Sequence, residues 1–415
     1  MTMIIKRDYY LQRLISSKSN NLIKIVTGIR RSGKSFLLFN LFHNHLIETG
    51  INEDHIIEIA LDDRLNKNLR DPDVILQHIR ERIVDDKLYY IILDEVQMID
   101  EFTDVLNSLL HIRNADVYVT GSNSKFLSKD VVTEFRGRGD EIHLFPLSFA
   151  ELYNSIGGDK FELWKSYYTY GGLPGILELD SEKKKAAYLR SLHETVYLKD
   201  IIERNNLKNS EEFMELMRVM ASCIGSPCNP SKLENTFKSV KNETLDRKTI
   251  SKYLSYMEDA FLIEKSMRYD IKGRKYIGTL SKYYFQDIGL RNALLNFRQV
   301  EENHIMENVI YNELRLRGFC VDVGMVEART AKERKQLEVD FVANMADRRY
   351  YIQSAFAMPD DDKREQESAS LKRIDDSFKK IIIMRDDIKP YHDNNGFYIV
   401  GLMDFLLKPD LIEQL

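Results

Sequence analysis

Apolar runs and amphipathic stretches alternate along the first 145 residues of the chain. Five runs have the length and apolar content of strands, at residues 22–27, 56–61, 89–93, 116–120 and 141–145. Between them, apolar residues recur at helical spacing, as they do over residues 36–42. Such alternation is typical of a parallel sheet covered by helices. We therefore predict an α/β domain over residues 1–147, in which strand 89–93 lies beside strand 22–27.

The pattern becomes mainly helical after Pro146. Helices predicted at 149–156 and 183–204, with a turn at 167–174, would form a helical lid over residues 148–208. Residues 209–298 have the element order of a winged helix, with helices at 211–223, 230–237 and 246–254, then a strand and a basic turn at 272–275. Residues 299–415 have the element order of a restriction-endonuclease-like fold.

Composition narrows the class of protein. A chain of 415 residues with 43% hydrophobic residues has material for two or three packed cores. The net charge of −5 argues against an overall basic coat for nucleic acid, although it allows a local basic patch. The cysteines at positions 223, 228 and 320 fit neither a disulfide framework nor metal-ligand spacing. We expect buried cysteines, a reducing cytoplasmic setting and no membrane association, because no apolar run suits a signal peptide or a membrane helix.

The most specific pattern is GIRRSGKS at residues 28–35, between a predicted strand and a predicted helix. Two glycines allow successive N–H groups to turn inward around a polyphosphate, at the N-terminus of the helix. Lys34 would reach the β- and γ-phosphates and the Ser35 hydroxyl would hold Mg²⁺. The predicted nucleotide-binding residues are Gly28, Arg31, Ser32, Gly33, Lys34, Ser35 and Phe36.

A second chemical signal ends the strand at residues 89–93. Asp94 would bind the same Mg²⁺ ion as Ser35, and Glu95 would orient and polarise the attacking water. Two acids at a strand end also occur as ordinary strand termination, but here they follow a phosphate loop. ATP hydrolysis with Mg²⁺ is the predicted chemistry.

The segments that follow make the pattern more specific. Strand 116–120 ends in polar residues that include Ser122 and Asn123, and an Arg-Gly-Arg segment holding Arg136 and Arg138 precedes the sequence PLSF at 146–149. This order resembles a large prokaryotic family of AAA+ ATPases that carry a C-terminal domain of unknown function. The resemblance covers nearly the whole chain and implies that Ser122 or Asn123 is the sensor 1 residue.

Arg136 and Arg138 are candidates for an arginine finger, with Arg138 slightly favoured. Such a residue stabilises charge on the transferring phosphoryl group and often comes from a neighbouring subunit, which would make the protein a homo-oligomer. The alternative is a solvated basic turn paired with nearby acids.

The predicted winged helix carries a candidate DNA surface. Arg247, Lys248 and Lys252 lie on its third helix, and Arg274 and Lys275 lie in its basic turn. These side chains could contact phosphates, while the first turn of the helix could approach base edges. Winged helices also serve as protein-binding modules, so a protein partner is the alternative.

Residues 299–415 lack part of a nuclease site. An active site of this type needs an Asp near a strand end, then Glu and Lys two residues apart on the next strand, to hold Mg²⁺ and activate water. Asp340 fits the first position and Glu307 lies on the preceding helix, but Gln353 and Ala355 stand where Glu and Lys are needed. We expect no nuclease activity.

Together these predictions describe an α/β protein with a P-loop AAA+ parallel sheet, a helical lid, a winged helix and a degraded restriction-endonuclease-like domain. The predicted function is an ATP-hydrolysing switch associated with DNA. The alternative is a nucleotide-controlled signalling or assembly scaffold that binds a protein through its C-terminal half.

Overall fold

A computed structural model describes residues 4–121, 137–241, 245–329 and 334–414 of the chain. These residues form two compact units, which are Met1–Pro146 with Asp259–Phe261, and Leu147–Glu258 with Leu262–Leu415. The boundary lies one residue before the predicted end of the N-terminal domain at residue 147.

The first unit is built on a parallel five-stranded sheet. Its strands are β1 (Ile23–Thr27), β2 (Ile56–Ala60), β3 (Tyr89–Asp94), β4 (Ala115–Thr120) and β5 (Gly139–His143), in the order β2-β3-β4-β1-β5. The parallel α/β prediction is confirmed. The predicted neighbour of β1 is wrong, because β4 lies between β1 and β3: Ile25 pairs with Val119, and Leu93 pairs with Val119 from the other side.

Helices cover this sheet. They are Asp8–Ser16, Lys34–Phe36 continuing through a π-helical Leu37–Phe42 into His43–Glu48, Pro72–Arg82 and Phe102–Leu109. All residues of β1 and β3 are buried, as expected for strands packed on both faces. Asp71 caps the helix Pro72–Arg82 by accepting the N–H groups of Asp73 and Val74, and Pro72 stands at the first helical position, where no N–H is needed. This core holds the ends of β1, β3 and β4 in place.

The second unit contains an eight-stranded mixed sheet. Its strands are β6 (Ile263–Asp270), β7 (Lys275–Phe285), β8 (Cys320–Arg329), β9 (Arg334–Met345), β10 (Arg348–Ala355), β11 (Lys379–Met384), β12 (Tyr391–His392) and β13 (Tyr398–Gly401), in the order β12-β13-β11-β10-β9-β8-β6-β7. β6 and β7 come from the segment predicted as a winged helix, yet β6 pairs in parallel with β8. The segments predicted as separate modules at 209–298 and 299–415 therefore share one sheet.

The helices of the second unit agree largely with the sequence pattern. They are Phe149–Ile156, Lys160–Tyr170, Glu182–Leu192, Lys199–Asn205, Ser210–Ser222, Pro230–Thr236, Arg247–Asp259, Ile288–Leu294, Glu302–Leu316, Asp361–Ser368 and Leu402–Leu407. The predicted turn at 167–174 is wrong in its first half, because Asp159 caps a helix that continues to Tyr170. Trp164 on this helix packs with Phe149 and Ile310 in the core of the unit. This tertiary contact stabilises a helix whose own sequence shows only a weak amphipathic pattern.

Two further features bear on the sequence predictions. Cys228 is buried, but Cys223 is half-buried and Cys320 is exposed, so the expectation of three buried cysteines is wrong. Within the described ranges, no helix is long and apolar enough to cross a membrane.

Candidate functional site

The segment 28–35 forms a tight loop between β1 and the helix that begins at Lys34. Gly28 has φ +134°, and a Cβ there would lie 2.2 Å from the carbonyl oxygen of Leu144. Gly33 and Arg31 also have positive φ, at 97° and 65°. The backbone therefore passes so close to the residue after β5 that only glycine fits at position 28. Arg31 and Phe36 are exposed at the rim of the loop.

The Lys34 ammonium group lies inside the loop. Its Nζ donates to the carbonyl oxygens of Gly28 and Ile29, at 3.0 and 3.2 Å. Burial lowers the pKa of Lys34, while the carboxylates of Glu95 and Asp94 act to raise it. The lysine is thus a buried cation enclosed by backbone oxygens and two nearby acids, which suits it to an anionic ligand.

Ser35 and Asp94 meet as the sequence predicts. The Ser35 hydroxyl donates to Asp94 Oδ2 at 2.7 Å. Burial raises the pKa of Asp94, and the hydrogen bonds from Thr120 and Ser35 oppose that rise. A hydroxyl and a carboxylate in contact beside a phosphate loop are the oxygen ligands that Mg²⁺ prefers, so the residues present fit the predicted ion.

Thr120 at the end of β4 was not among the predicted site residues. Its hydroxyl donates to Asp94 Oδ1 and accepts the backbone N–H of Glu95, which is 2.9 Å away. One fully buried hydroxyl therefore fixes both acids. A threonine at a strand end was visible in the sequence, but its role depends on β4 lying next to β3.

Glu95 stands in a left-handed backbone conformation, with φ 53° and ψ 47°. Such geometry is uncommon for a residue with a side chain and occurs often at functional sites. The Gln97 side-chain amide donates to Glu95 Oε2. Gln97, which sequence reasoning also missed, thereby orients the carboxylate predicted to act on water.

A buried arginine supports the loop from its N-terminal side. The Arg7 guanidinium donates to the carbonyl oxygens of Ser32 and Phe145, at 3.3 and 2.7 Å, and stacks on the Tyr10 ring. Ser32 is fully buried, and its Oγ makes no hydrogen bond among the described residues. Nothing in the local sequence pattern marks Arg7, because its partners lie 25 and 138 positions away.

Of the arginine-finger and sensor candidates, only Arg138 lies among the described residues. Ser122, Asn123 and Arg136 lie outside the described residues. Arg138 is exposed, and its carbonyl oxygen accepts the N–H of Ile23 at the beginning of β1. The phosphate loop follows the other end of that five-residue strand, so Arg138 lies about 16 Å along the sheet from the loop of its own chain.

The basic residues predicted to contact DNA are all exposed. Arg247, Lys248 and Lys252 lie on the helix Arg247–Asp259, while Arg274 and Lys275 lie at the turn between β6 and β7. Arg247 pairs with Glu234 at 2.8 Å.

A second cluster of charged groups lies beside a cleft of about 550 Å³ in the second unit. Glu307, Asp340 and Gln353 line the cleft, and Ala355 is buried. The structure adds a residue that the sequence did not single out, Lys282 of β7, whose Nζ lies 2.7 Å from Glu307 Oε1. Across the described parts of the chain, no group of three or more His, Cys, Asp and Glu side chains is arranged to hold a metal ion.

Comparison with known proteins agrees with this architecture. A family model described as an AAA domain matches residues 20–153, and one described as a domain of unknown function (DUF8612) matches residues 161–301. An uncharacterized protein of Haemophilus influenzae is 33% identical over 98% of this chain and 99% of its own length. An uncharacterized protein of Methanocaldococcus jannaschii is 29% identical over 90% of this chain and 82% of its own length.

Solved structures match more distantly. The Aeropyrum pernix Orc1 protein in complex with DNA is 12% identical, with a TM-score of 0.30, over 71% of this chain and 93% of that one. Cdc6p from Pyrobaculum aerophilum is 13% identical, with a TM-score of 0.29, over 73% and 94%. Scores this low carry no inference about function.

Proposed function

Because this chain belongs to a family of AAA+ proteins with a C-terminal domain of unknown function, found in bacteria and archaea, we propose that it is a Mg²⁺-dependent ATPase that acts as a switch. The observation that carries the proposal is the contact between the Ser35 hydroxyl and Asp94, with Glu95 fixed beside them by Thr120 and Gln97. A parallel sheet and a glycine loop alone would support nucleotide binding, whereas this arrangement of acids supports hydrolysis.

Each residue has a distinct part in the proposed reaction. The backbone N–H groups of the loop and the Lys34 ammonium would bind the phosphates, and Ser35 with Asp94 would hold Mg²⁺. Bound Mg²⁺ would neutralise charge on the phosphates during transfer. Glu95 would accept a hydrogen bond from water and orient its oxygen for attack. Arg7 would keep the loop in shape by holding the carbonyl oxygen of Ser32.

Substitution of Glu95 tests hydrolysis separately from binding. Glu95→Gln keeps the size of the side chain and removes its charge, so ATP affinity should be retained while turnover falls by roughly 100-fold to 10,000-fold. Lys34→Ala should weaken ATP binding itself. The matched control is Glu81→Gln, at an exposed glutamate of the helix Pro72–Arg82, and it should leave ATP affinity and turnover unchanged. Hydrolysis at the wild-type rate by Glu95→Gln would show that the catalytic assignment is wrong.

The finer proposal is that the switch is DNA-associated through the five exposed basic residues of the second unit. Three of them share one helix, as expected of a surface that follows a phosphate backbone. The alternative, a scaffold that binds a protein partner, uses the same surface without phosphate contacts.

A salt series distinguishes the two. Reversing Arg247, Lys248 and Lys252 to Glu should weaken duplex DNA binding across all sequences and reduce the slope of log K against log salt by about one for each phosphate that is no longer neutralised. Reversal of Lys183, Lys184 and Lys199, three exposed lysines elsewhere in this unit, is the control. DNA affinity that is the same in both triple variants would favour the scaffold.

A further inference from the structure

Beside the cleft in the second unit, a buried lysine lies among acidic side chains, two of which, Glu307 and Asp340, line the cleft. Lys282 is 2% exposed, and its Nζ lies 2.7 Å from Glu307 Oε1, 2.7 Å from Glu338 Oε1 and 3.8 Å from Asp340 Oδ1. The three acids come from the helix Glu302–Leu316 and from β9, whereas Lys282 comes from β7. Strands β8 and β6 lie between β9 and β7 in the sheet order, so this cluster is formed only by the tertiary structure.

Each carboxylate is held in place by a further hydrogen bond or by the ammonium itself. Glu307 Oε1 also accepts the Tyr284 hydroxyl at 2.8 Å, and Asp340 Oδ2 accepts the N–H of Ser354 at 2.8 Å. Carboxylate oxygens from separate elements thus converge on one point, and a cation occupies that point. Proteins use a similar convergence of oxygen ligands, at shorter distances, to hold divalent metal ions.

The electrostatics of the cluster agree with a permanently charged lysine. Burial by itself would lower the pKa of Lys282, but the carboxylates of Glu307, Asp340 and Glu338 raise it well above its ordinary value. Burial and the Glu307 carboxylate raise the pKa of Asp340, against the opposing effect of Lys282. One ammonium is therefore shared by three carboxyl groups, and its removal would leave the buried Asp340 and the partly buried Glu307 and Glu338 without a cation.

We propose that the Lys282 ammonium takes the place of a divalent metal ion in this cluster, so that the cluster is assembled without metal and becomes a metal site only when the lysine is removed. Separations of 2.7 Å suit N–H···O hydrogen bonds to the ammonium, and they hold the carboxylate oxygens farther from its position than the 2.0–2.1 Å that Mg²⁺ requires. A consequence is that chelators act on the nucleotide site and leave the second unit intact.

The experiment measures the thermal stability of the full chain with Mn²⁺ as the probe. All variants carry Asp94→Asn, so that the nucleotide site does not contribute a Mn²⁺ response. Lys282→Met should lower the melting temperature by roughly 10 °C without metal, because it leaves the buried Asp340 and the partly buried Glu307 and Glu338 without a cation. Mn²⁺ at about 100-fold its dissociation constant should then raise it by roughly 5 °C. The Lys282-containing parent should show no saturable rise.

Two further variants control the result. Lys363→Met removes a lysine that lines the same cleft and pairs with Glu367, and it should give no Mn²⁺ response. Lys282→Met with Glu338→Gln lowers the excess negative charge, folds more readily and should keep a weaker response. If Lys282→Met is insoluble, its refolding is compared with and without Mn²⁺, and recovery in Mn²⁺ alone supports the proposal.

Three outcomes would overturn it. The first is a folded Lys282→Met variant that does not respond to Mn²⁺. The second is a saturable Mn²⁺ response in the Lys282-containing parent that disappears in Asp340→Asn, since the metal would then bind alongside the lysine. The third is refolding of Lys282→Met that fails equally with and without Mn²⁺ while the double variant folds and ignores Mn²⁺.

Discussion

At the scale of single residues, the nucleotide site depends on side chains that position the two acids, Asp94 and Glu95, without themselves taking part in the proposed reaction. Thr120 donates to Asp94 and accepts the N–H of Glu95, and Gln97 donates to the Glu95 carboxylate. Both acids are therefore held in position by neighbouring side chains of the protein itself. Preorganised groups of this kind need no rearrangement during the reaction, which is a main source of catalytic power.

Thr120→Val tests this positioning role. Valine has nearly the same shape, so the core stays filled, but Asp94 loses one hydrogen bond and the N–H of Glu95 loses its acceptor. We expect ATP turnover to fall by about 10-fold to 100-fold, from the value of a hydrogen bond to a charged group. Thr120→Ser keeps the hydroxyl and should retain most of the activity.

The same variant should change the pH dependence of turnover. Burial raises the pKa of Asp94, and the Thr120 and Ser35 hydroxyls oppose the rise. Without the Thr120 hydroxyl the pKa rises further, so Asp94 becomes protonated at a higher pH and loses its affinity for Mg²⁺ there. The acid limb of the pH–rate profile should move to higher pH in Thr120→Val and stay in place in Thr120→Ser. Identical profiles for the two variants would contradict the positioning role.

At the scale of elements, the phosphate loop is fixed by its packing against the residue that follows β5. The β5 strand pairs with β1 from Ile23 to Thr27, and the Leu144 N–H then donates to the Thr27 carbonyl at 2.8 Å. This hydrogen bond brings the backbone of residue 144 against Gly28. The shape of the loop therefore depends on the ends of both β1 and β5, whereas the short sequence pattern shows only the segment that follows β1.

Gly28→Ala tests the close approach. The new Cβ would meet the Leu144 carbonyl oxygen at 2.2 Å, in a backbone conformation that side chains resist. The free energy of unfolding, measured with denaturant, should fall by about 3 kcal/mol. Gly50→Ala is the control, because Gly50 has φ +88° with nothing within 4 Å, and it should lose only about 1 kcal/mol. Equal losses would mean that backbone strain, rather than the clash, limits position 28.

At the scale of the whole molecule, the chain divides its chemistry between two compact units. The phosphate loop, Asp94 and Glu95 belong to the first unit, whereas the Lys282 cluster and the exposed basic helix belong to the second. Arg138 also belongs to the first unit but lies about 16 Å along the sheet from the loop of its own chain, five residues of β1 away. If Arg138 is an arginine finger, its distance from the loop of its own chain means that it would act on the nucleotide of a neighbouring copy.

Mixing of variants tests such action between copies. If Arg138 is the finger, Arg138→Ala alone should lower turnover by about 1,000-fold or more. Glu95→Gln should also lower turnover, because the attacking water is no longer oriented. A mixture should regain activity, since some interfaces then join an intact Glu95 to an intact Arg138. Arg82→Ala, at an exposed arginine of the same unit, is the control. A strict monomer whose specific activity is independent of concentration would rule out the finger in trans.

The local sequence by itself determined the position of the phosphate loop, the acid pair at 94–95 and most strands and helices. These features depend on hydrophobic period and on residue chemistry within a few positions, which a sequence displays directly. The tertiary structure alone decided that β4 lies between β1 and β3, and hence that Thr120 joins Asp94 to Glu95. It also decided that Arg7 supports the loop and that Lys282 enters the acid cluster. Strand order and buried ion pairs depend on which distant surfaces pack together, and no local pattern encodes that choice.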